Sequence, residues 1–440
     1  MRERVIKVLE ELQPEWEHLL SQWIQIPSVV GSGVERQMQL KVARAFRELG
    51  VDVEVWEPSL LPELPWHPDY VLPARAVLPE IPVVTGYRRG RGRGRSLVLN
   101  GHVDVVPVDD QPWTYDPWNP IRDGDRLYGR GSLDMKAGLV AMWAVCAALR
   151  ELNLSLQGDL IIQSVADEEE TGNHTLACCL KGIRGDGTAY LEPAAADMGL
   201  VRGAAPVLLV SSRGAQFFRV TVEAPADGGV EYQRELVNPI GPLMHLYHAV
   251  ERYSDMREAQ VTDPLYADHA TKLPAAVCRV YAGNWPSTIP RTAVMEGTIE
   301  CLPGERIDEV MDQFERYLNT AAAAHPWLKD HPPRIERFGL RYESAATPVD
   351  DVFVRTAAQS LQRVYHQSPW VTGGGGNDLR HTVRHAKSPS VIFGPDGGHI
   401  HGTDEWVSLS SLAKTVAALF DLVVSWCGVD GGDKGWATNG

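Results

Sequence analysis

The chain has 440 residues, of which 44% are hydrophobic and 22% are charged, as in an ordinary soluble globular protein. This length exceeds the size at which a single hydrophobic core stops growing, so two domains are expected. The 42 Lys and Arg residues against 57 Asp and Glu residues give a formal net charge of −15, which speaks against a nucleic-acid partner, because phosphate backbones bind to basic surfaces.

The first part of the chain predicts helices and strands that alternate. In chain order, hydrophobic periodicity predicts helices at 5–24 and 37–49, strands at 51–56, 81–86 and 96–100, a helix at 137–149 and a strand at 159–165. This alternation indicates an α/β domain with a mostly parallel sheet and helices on both faces. The run of arginines and glycines at 88–95 could contact a polyanion, but its position between two strands favours a solvated hairpin loop.

Near residue 212 the pattern changes to that of an inserted domain. The predicted order is a strand at 217–222, a helix at 239–253, strands at 276–282 and 293–301, a helix at 307–324 and a strand at 334–338. The order β-α-β-β-α-β is that of a ferredoxin-like α+β sandwich. The α/β pattern resumes at 352–364, so residues 212–345 are predicted to be inserted into a discontinuous domain of residues 1–211 and 346–440.

The spacing of the cysteines and the distribution of apolar residues indicate the cellular compartment of the protein. The six cysteines include no C-x-x-C pair and two of them are adjacent, so free thiols in a reducing compartment are the simpler interpretation. The N-terminus lacks the apolar core of a signal peptide, and no run of about 18 apolar residues could cross a bilayer. We therefore expect a soluble cytoplasmic protein without a membrane partner.

The strand at 96–100 leads into the motif H-x-D, formed by His102 and Asp104. In a parallel sheet, ligand-binding groups collect at the carboxyl ends of the strands. Residues two apart on an extended chain point to the same side, so Asp104 could hold the ring of His102, as a carboxylate behind a metal-bound imidazole does. By itself the motif is weak evidence for a metal ligand, because a structural histidine at a strand end is at least as common.

Three further acidic motifs follow predicted strands or turns. Asp134 ends a glycine-rich string at the start of a helix, where the alternative role is an N-cap. The acids at 167–170 follow a buried-looking strand, where acids are costly unless a cation compensates, although a charge run is usually a solvated face. Two adjacent carboxylates, Glu168 and Glu169, can divide metal ligation and proton transfer between them. Glu192 ends another strand.

Seven motifs occur in a fixed order along the chain. They are H-V-D-V-V-P at 102–107, Y-G-R-G-S-x-D-M-K at 128–136, A-D-E-E at 166–169, E-P at 192–193, N-W-P-S-T-I-P at 284–290, L-P-G-E at 302–305 and H-x-x-D-E-W-V at 401–407. In this order they resemble the acetylornithine deacetylase / succinyl-diaminopimelate desuccinylase family of co-catalytic zinc peptidases and deacylases. The resemblance runs from about residue 80 to about residue 425, and a chance match of all seven motifs is negligible.

The resemblance implies two divalent metal ions, with zinc preferred, although the same ligand types accept cobalt or manganese. It implies that Asp134 bridges both ions, that His102 and Glu192 complete one site, and that Glu169 and His401 complete the other. His401 is preferred to His399 because H-x-x-D-E fits the family pattern. Glu168 would be the general base, and Asp104 would orient His102. The Asp134–Met135 peptide bond is expected to be cis, as in the family.

The implied function is hydrolysis of an amide bond, in an N-acyl amino acid or a short peptide with a free carboxylate, by a dizinc-bound hydroxide. Three ligand carboxylates and two neutral imidazoles would leave one net positive charge on the centre, which favours hydroxide and a developing oxyanion. Arg380 stands where relatives hold the substrate carboxylate, although a surface arginine is the alternative. Asn284 stands where relatives place an asparagine near the substrate or the partner subunit. The inserted domain would act as a lid and mediate a homodimer.

The sequence departs from the family in the inserted domain. Relatives carry a lid histidine in a segment shaped like A-H-x-G, whereas residues 222–230 read V-E-A-P-A-D-G-G-V here, with Asp227 near the expected position. That histidine donates to the oxyanion in relatives, and the loss of one such donor can cost about 10²–10³ in rate. We therefore expect weak activity on ordinary acetylated amino acids. Two alternatives stay open: a metal-binding but catalytically silent relative that acts as a binding protein, and an aminopeptidase that acts on longer peptides.

Overall fold

The computed structural model describes residues 2–73, 80–108, 111–194 and 205–430. The chain divides into two compact units, which we call the larger unit (Met1–Ser211 and Ala346–Gly440) and the smaller unit (Ser212–Ala345). In the described residues the helices are α1 (Arg2–Ile24), α2 (Glu35–Glu48), α3 (Lys136–Glu151), α4 (Asn173–Leu180), α5 (Ile240–Ala259), α6 (Ile307–Ala323), α7 (Val352–Tyr365), α8 (Leu379–His381) and α9 (Leu409–Cys427).

The strands are β1 (Asp52–Trp56), β2 (Val83–Arg88), β3 (Leu97–His102), β4 (Ile121–Asp123), β5 (Arg126–Tyr128), β6 (Leu160–Val165), β7 (Gly187–Tyr190), β8 (Val207–Ser212), β9 (Gly214–Glu223), β10 (Gly228–Gly229), β11 (Ala275–Ala282), β12 (Thr288–Ile289), β13 (Thr292–Cys301), β14 (Arg334–Tyr342), β15 (Ala345–Ala346), β16 (Trp370–Gly374), β17 (Ser390–Ile392), β18 (Gly397–Gly398) and β19 (Trp406–Ser408). Every helix and strand predicted above has a counterpart here, with boundaries that shift by a few residues.

The larger unit is built on a nine-stranded sheet with the order β1-β2-β6-β3-β7-β17-β8-β15, in which β16 also pairs with β8. The central strands β6, β3, β7 and β17 are parallel. Strands β1 and β2 join antiparallel at one side, and β8 joins antiparallel at the other. Strands β3, β6, β7 and β8 are buried along their full length, as expected of a sheet that is covered on both faces. The predicted α/β class is confirmed.

Different helices cover the two faces of the parallel strands. On one face, Val98 and Ile161 pack in a core cluster with Cys178 of α4. Side chains alternate along a strand, so Gly101 faces the other way. A Cβ at Gly101 would lie 2.6 Å from Cε of Met135, so this glycine lets the start of α3 approach β3 closely. Helix α4 therefore lies on one face of these strands and the start of α3 on the other.

The prediction of a hairpin loop at 88–95 is wrong. Strands β2 and β3 are not neighbours, because β6 lies between them, antiparallel to β2 and parallel to β3. The loop instead crosses close to other backbone: a Cβ at Gly94 would overlap the carbonyl oxygen of Cys427. Arg89 forms an ion pair with Asp159 at 2.8 Å. The glycines are needed for this close approach of two backbones, not for a tight turn.

A second, four-stranded sheet of the larger unit has the order β18-β19-β5-β4, and the sequence did not predict it. Its strands pair antiparallel, with Trp406 opposite Tyr128. This pairing places the loop after β5 beside the loop between β18 and β19. Two of the seven motifs are therefore brought together by a sheet of very short strands.

The expectation that no run of about 18 residues is apolar enough to cross a bilayer is wrong, because helix α9 is long and apolar enough by length and composition alone. Its most apolar stretch has a mean hydropathy of 1.4, and 72% of that stretch is buried within the protein. The helix packs against α1, α3, α7 and β3. These contacts are those of a core helix, and core helices of soluble proteins share the same composition.

The smaller unit has an antiparallel sheet with the order β11-β13-β9-β14. Its chain order, β9-α5-β11-β13-α6-β14, confirms the predicted ferredoxin-like arrangement. Phe218, Leu246, Met295 and Phe314 belong to the core between the sheet and the two helices. A short ribbon of β10 and β12 pairs residues 228–229 with residues 288–289, so two of the segments singled out in the sequence lie side by side.

Candidate metal centre

Five predicted metal ligands come from segments that are distant in sequence. His102 is the last residue of β3, Glu169 follows β6 and Glu192 follows β7. Because these strands are parallel neighbours, their carboxyl ends meet at one edge of the sheet. Asp134 precedes α3, and His401 lies in the loop between β18 and β19. Both sheets of the larger unit therefore contribute ligand candidates.

Asp134 lies at the middle of the five side chains. Its Oδ1 is 3.1 Å from Nε2 of His102, and its Oδ2 is 3.0 Å from Nε2 of His401. Glu192 Oε1 is 3.5 Å from Nε2 of His102, and Glu169 Oε2 is 3.1 Å from Nε2 of His401. Each oxygen of Asp134 thus faces one histidine, and each histidine faces one glutamate. The structure brings all five predicted ligands together, and the Asp134–Met135 peptide bond is cis as expected.

The carboxylates of this group are not fully balanced by the positive charges of neighbouring side chains. Burial raises the pKa of Glu169 to about 7 and that of Glu192 to about 8, and the charge of Asp134 adds to both shifts. Burial and the charge of Asp378 raise the pKa of Glu168 well above its usual value. Hydrogen bonds to Asp134 and Glu169 raise the pKa of the His401 imidazole to about 11. Such a pattern is typical of a site whose charge is balanced by a cation.

The donor set fits divalent metal ions. Imidazole nitrogens and carboxylate oxygens are ligands of zinc, and cobalt and manganese accept them too. The ligand atoms of His102, Asp134 and Glu169 lie within 4.8 Å of one another. Oε1 of Glu169 is buried and has no hydrogen-bond partner among the described residues. A buried carboxylate oxygen in that position is explained if it ligates an ion.

Asp104 supports two of the candidate ligands in different ways. Nδ1 of His102 lies 2.8 Å from the backbone carbonyl oxygen of Asp104 and 3.4 Å from its Oδ1. A carbonyl only accepts, so Nδ1 carries a proton, and Nε2 is the ring nitrogen that would ligate a bound ion. Oδ2 of Asp104 accepts a hydrogen bond from the backbone N–H of Glu169 at 3.1 Å. The motif H-x-D predicts a contact between the ring and the carboxylate, whereas the closer contact is with the carbonyl.

The two predicted substrate residues lie in different units. Arg380 is buried, and its guanidinium donates to the carbonyl oxygens of Asn377 at 2.7 Å and Thr171 at 2.9 Å. Thr171 follows the acids at 167–170, so Arg380 lies beside the segment that carries Glu169. Asn284 is exposed in the smaller unit, just before β12. Substrate binding by these two residues stays a prediction.

Sequence reasoning gave no role to Arg130 or Glu405, although both lie within the quoted motifs. They form a buried ion pair of 2.7 Å, and Glu405 accepts a hydrogen bond from the backbone N–H of Asp134 at 3.1 Å. The signal in the sequence was weak: a single arginine between two glycines, and an acid far along the chain. Nothing local indicates that these two residues meet.

A second histidine and carboxylate group lies in the larger unit. His67, Asp69 and His385 offer ligand atoms within 4.8 Å of one another. Nε2 of His385 is 2.7 Å from Oδ2 of Asp69, and a guanidinium nitrogen of Arg384 is 3.2 Å from the same oxygen. Although burial opposes it, these two contacts lower the pKa of Asp69 to about 2. This carboxylate already has a cationic partner, so the group needs no metal ion to balance its charge.

A family model described as peptidase family M20/M25/M40 matches residues 98–425 of the chain. Among curated proteins, N-formyl-4-amino-5-aminomethyl-2-methylpyrimidine deformylase of Bacillus subtilis is 26% identical over 423 residues, which cover 89% of each chain. Succinyl-diaminopimelate desuccinylase of Gluconobacter oxydans is 26% identical over 344 residues, which cover 76% of this chain and 82% of the relative.

Solved structures of similar fold include two dipeptidases. Human carnosine dipeptidase 1 matches with a TM-score of 0.72 at 16% identity, over 97% of this chain and 100% of that chain. The dipeptidase Dug1p from Saccharomyces cerevisiae matches with a TM-score of 0.74 at 15% identity, over 96% of this chain and 98% of that chain. At this level of identity the likeness establishes the fold alone.

Proposed function

The chain belongs to peptidase family M20/M25/M40 and is a metal-dependent hydrolase, and on this basis we propose that it cleaves the amide bond of a small N-acyl compound at a two-metal centre. His102, Asp134, Glu169, Glu192 and His401 would hold the two ions. The observation that carries the proposal is the carboxylate of Asp134, whose two oxygens face two different histidines at 3.1 and 3.0 Å. A single ion would leave one of these pairs without a cation.

When bound, the two ions would polarise the scissile carbonyl and lower the pKa of the attacking water. Glu168 would accept the proton of that water and return it to the leaving nitrogen. Glu168 is a partly buried carboxylate directly next to the proposed ligand Glu169, so it lies close to where that water would be held. Its neighbour Glu169 would stay a ligand, because its Oε2 lies 3.1 Å from Nε2 of His401.

The first candidate substrate is an N-acyl amino acid or a short peptide with a free carboxylate. Arg380 supports this class, because its guanidinium lies beside Thr171, on the segment that carries the proposed base. The planar fork of an arginine matches a carboxylate. A substrate carboxylate would have to compete with the carbonyl oxygens that Arg380 now contacts and with the carboxylate of Asp378, whose Oδ1 lies 3.3 Å from the guanidinium.

A second candidate is an N-formyl amine. The observation in its favour is the similarity over 89% of both chains to a deformylase that acts on an N-formyl aminomethylpyrimidine. A formyl carbonyl is less hindered and more reactive than an acetyl carbonyl. Such a substrate would depend less on the oxyanion donor that is missing from residues 222–230.

A hydrolysis screen would test both candidates. Zinc- and manganese-loaded protein would be offered N-formyl, N-acetyl, N-succinyl and N-carbamoyl amino acids, dipeptides, longer peptides and an N-formyl aminomethylpyrimidine. We expect turnover of at least one small amide, lost on chelation and restored by metal. Hydrolysis of longer peptides alone would favour an aminopeptidase. No turnover by protein that holds two ions would favour a silent binding protein, and acetyl-amino-acid hydrolysis at about 10 s⁻¹ would show that no lid histidine is needed.

We also propose that the smaller unit mediates a homodimer. Strand β11 is an edge strand of its sheet, and its Val280 and Tyr281 are 49% and 45% exposed. An exposed apolar edge strand is able to pair with a second copy of itself. Light scattering should show a dimer for the parent protein and a monomer after Val280→Lys with Tyr281→Lys. A monomeric parent would contradict the proposal.

A further inference from the structure

Two buried charged residues connect the loops that carry Asp134 and His401. Arg130 is 1% exposed and Glu405 is fully buried, and Nη1 of Arg130 lies 2.7 Å from Oε2 of Glu405. Resting on the two-metal function proposed above, we propose that this ion pair, called the brace from here on, positions the metal centre. By holding the main chains of Asp134 and His401, it would determine how tightly the ions are held.

Glu405 binds the main chain of the bridging residue. Its Oε1 accepts hydrogen bonds from the backbone N–H groups of Leu133 at 2.9 Å and Asp134 at 3.1 Å. Its Oε2 accepts one from the backbone N–H of Gly131 at 3.0 Å, in addition to the contact with Arg130. The two oxygens thus accept four hydrogen bonds from the loop that ends in Asp134, three from backbone N–H groups and one from the side chain of Arg130. A shift of Glu405 would therefore shift this loop.

Arg130 extends the brace to His401. Its Nη2 donates a hydrogen bond to the backbone carbonyl oxygen of His401 at 3.1 Å. His401 has a φ of 58°, in the left-handed region that residues other than glycine rarely adopt. Such a backbone persists where the surroundings hold it, and the contact with Arg130 is one that does. The ring of Trp113 lies 5.3 Å from the guanidinium and covers it.

The brace thus acts on two ligands that are 267 residues apart in sequence. Asp134 would ligate both ions, whereas His401 would ligate one. Loss of the brace should therefore lower the metal affinity of both sites, and that of the site of His401 most. A buried ion pair adds little net stability, because the cost of desolvation offsets the attraction. The presence of this buried ion pair is therefore better explained by the geometry that it imposes on the two loops than by a gain in stability.

The test is a metal-binding measurement on variants of the full chain. Arg130→Met removes the guanidinium but keeps a side chain that can fill the space, and Glu405→Gln removes the charge but keeps one acceptor. Arg130→Lys keeps the charge but not the fork that reaches both Glu405 and the His401 carbonyl. Arg363→Met is the matched control, because it removes an arginine that binds Asp421 at 3.0 Å, between α7 and α9 of the same unit.

Zinc affinity would be measured by competition with a chromophoric chelator, and the ligand geometry by the visible spectrum of Co²⁺-loaded protein. In Arg130→Met and Glu405→Gln, the dissociation constant of the weaker ion should rise about 10–100-fold, as for other residues that hold metal ligands. Arg130→Lys should lie in between. The Co²⁺ spectrum should change in these variants and stay unchanged in Arg363→Met.

Two results would overturn the brace. If the parent protein binds two ions and the folded Arg130 and Glu405 variants bind both with unchanged affinity and spectrum, the brace alone is wrong. If the parent protein binds fewer than two ions at saturation, the two-metal function is wrong and the brace fails with it. Should Arg130→Met fail to fold, Arg130→Lys with the same two measurements decides the matter.

Discussion

Two groups of histidines and carboxylates in the larger unit differ in the source of their positive charge. In the metal centre, Glu169 faces an imidazole and a second carboxylate, and burial together with that neighbour raises its pKa to about 7. In the group of His67, Asp69 and His385, burial is outweighed by the contacts of the carboxylate with His385 at 2.7 Å and with the guanidinium of Arg384 at 3.2 Å, and the pKa of Asp69 falls to about 2. Residue types alone therefore do not distinguish a metal site from a polar contact; the balance of charge does.

The second group is better explained as a tether. His67 and Asp69 follow the 3-10 turn Leu64–Trp66, whereas Arg384 and His385 belong to the π-helical turn Thr382–Ala386. Their contacts join a proline-rich loop to the segment after α8. The comparison therefore predicts that the metal centre governs activity and metal content, whereas the tether governs stability.

Glu168→Gln should have the strongest effect of the changes considered. It removes the proposed base but none of the proposed ligands, so kcat should fall by about 10²–10⁴-fold while both ions remain bound. Steady-state kinetics on the best substrate of the screen and elemental analysis would measure the two quantities. Glu170→Gln, in the same acidic run, is the control and should keep most of the activity. Turnover near the parent rate in Glu168→Gln would show that another group is the base.

Removing one histidine from each group tests the comparison directly. His102→Ala should lower the zinc content below two ions per chain after dialysis, because it removes a ligand that faces Asp134 at 3.1 Å. His385→Ala should leave two ions in place, because its partner Asp69 is already neutralised by Arg384. Elemental analysis of both variants beside the parent protein gives the answer. Loss of an ion from His385→Ala would mean that the tether is itself a metal site.

Asp69→Asn should affect stability modestly and in a pH-dependent way. The folded pKa of Asp69, about 2, lies below the ordinary value of 3.8, so its charge stabilises the folded state above about pH 4. This contribution is lost as the pH falls from about 4 to about 2, and is about 1 kcal/mol after allowance for solvent screening. Urea unfolding at pH 7 and pH 3 would measure it. A difference between parent and variant that does not shrink at pH 3 would contradict this.

Arg384→Met should have the weakest effect, a gain of loose metal binding. Without the guanidinium, Asp69 and the two histidines would present ligand atoms within 4.8 Å and an unbalanced negative charge. A titration with excess zinc should then reveal a third, weak site, and an added His385→Ala should abolish it. If the stoichiometry stays at two, charge balance is not what keeps metal out of the tether.

The longer helices and strands and all seven motifs could be predicted from the sequence, whereas the very short strands β4, β5, β18 and β19 could not. Hydrophobic periodicity depends on neighbours along the chain, so helices such as α3 and strands such as β6 could be predicted within a few residues. Functional groups collect at the carboxyl ends of parallel strands, and this rule was enough to predict that His102, Glu169 and Glu192 share one edge of the sheet. The order β-α-β-β-α-β also predicted the ferredoxin-like smaller unit.

Which distant segments meet depends on the tertiary structure. The sequence could not show that β6 separates β2 from β3, because strand pairing depends on packing across the whole sheet. It could not show that Arg130 reaches Glu405, 275 residues away, or that Arg384 neutralises Asp69. A buried charge is stabilised by partners within a few ångströms in space, and distance along the chain carries no information about those partners. That is why the ligand candidates could be predicted, whereas the brace and the tether could not.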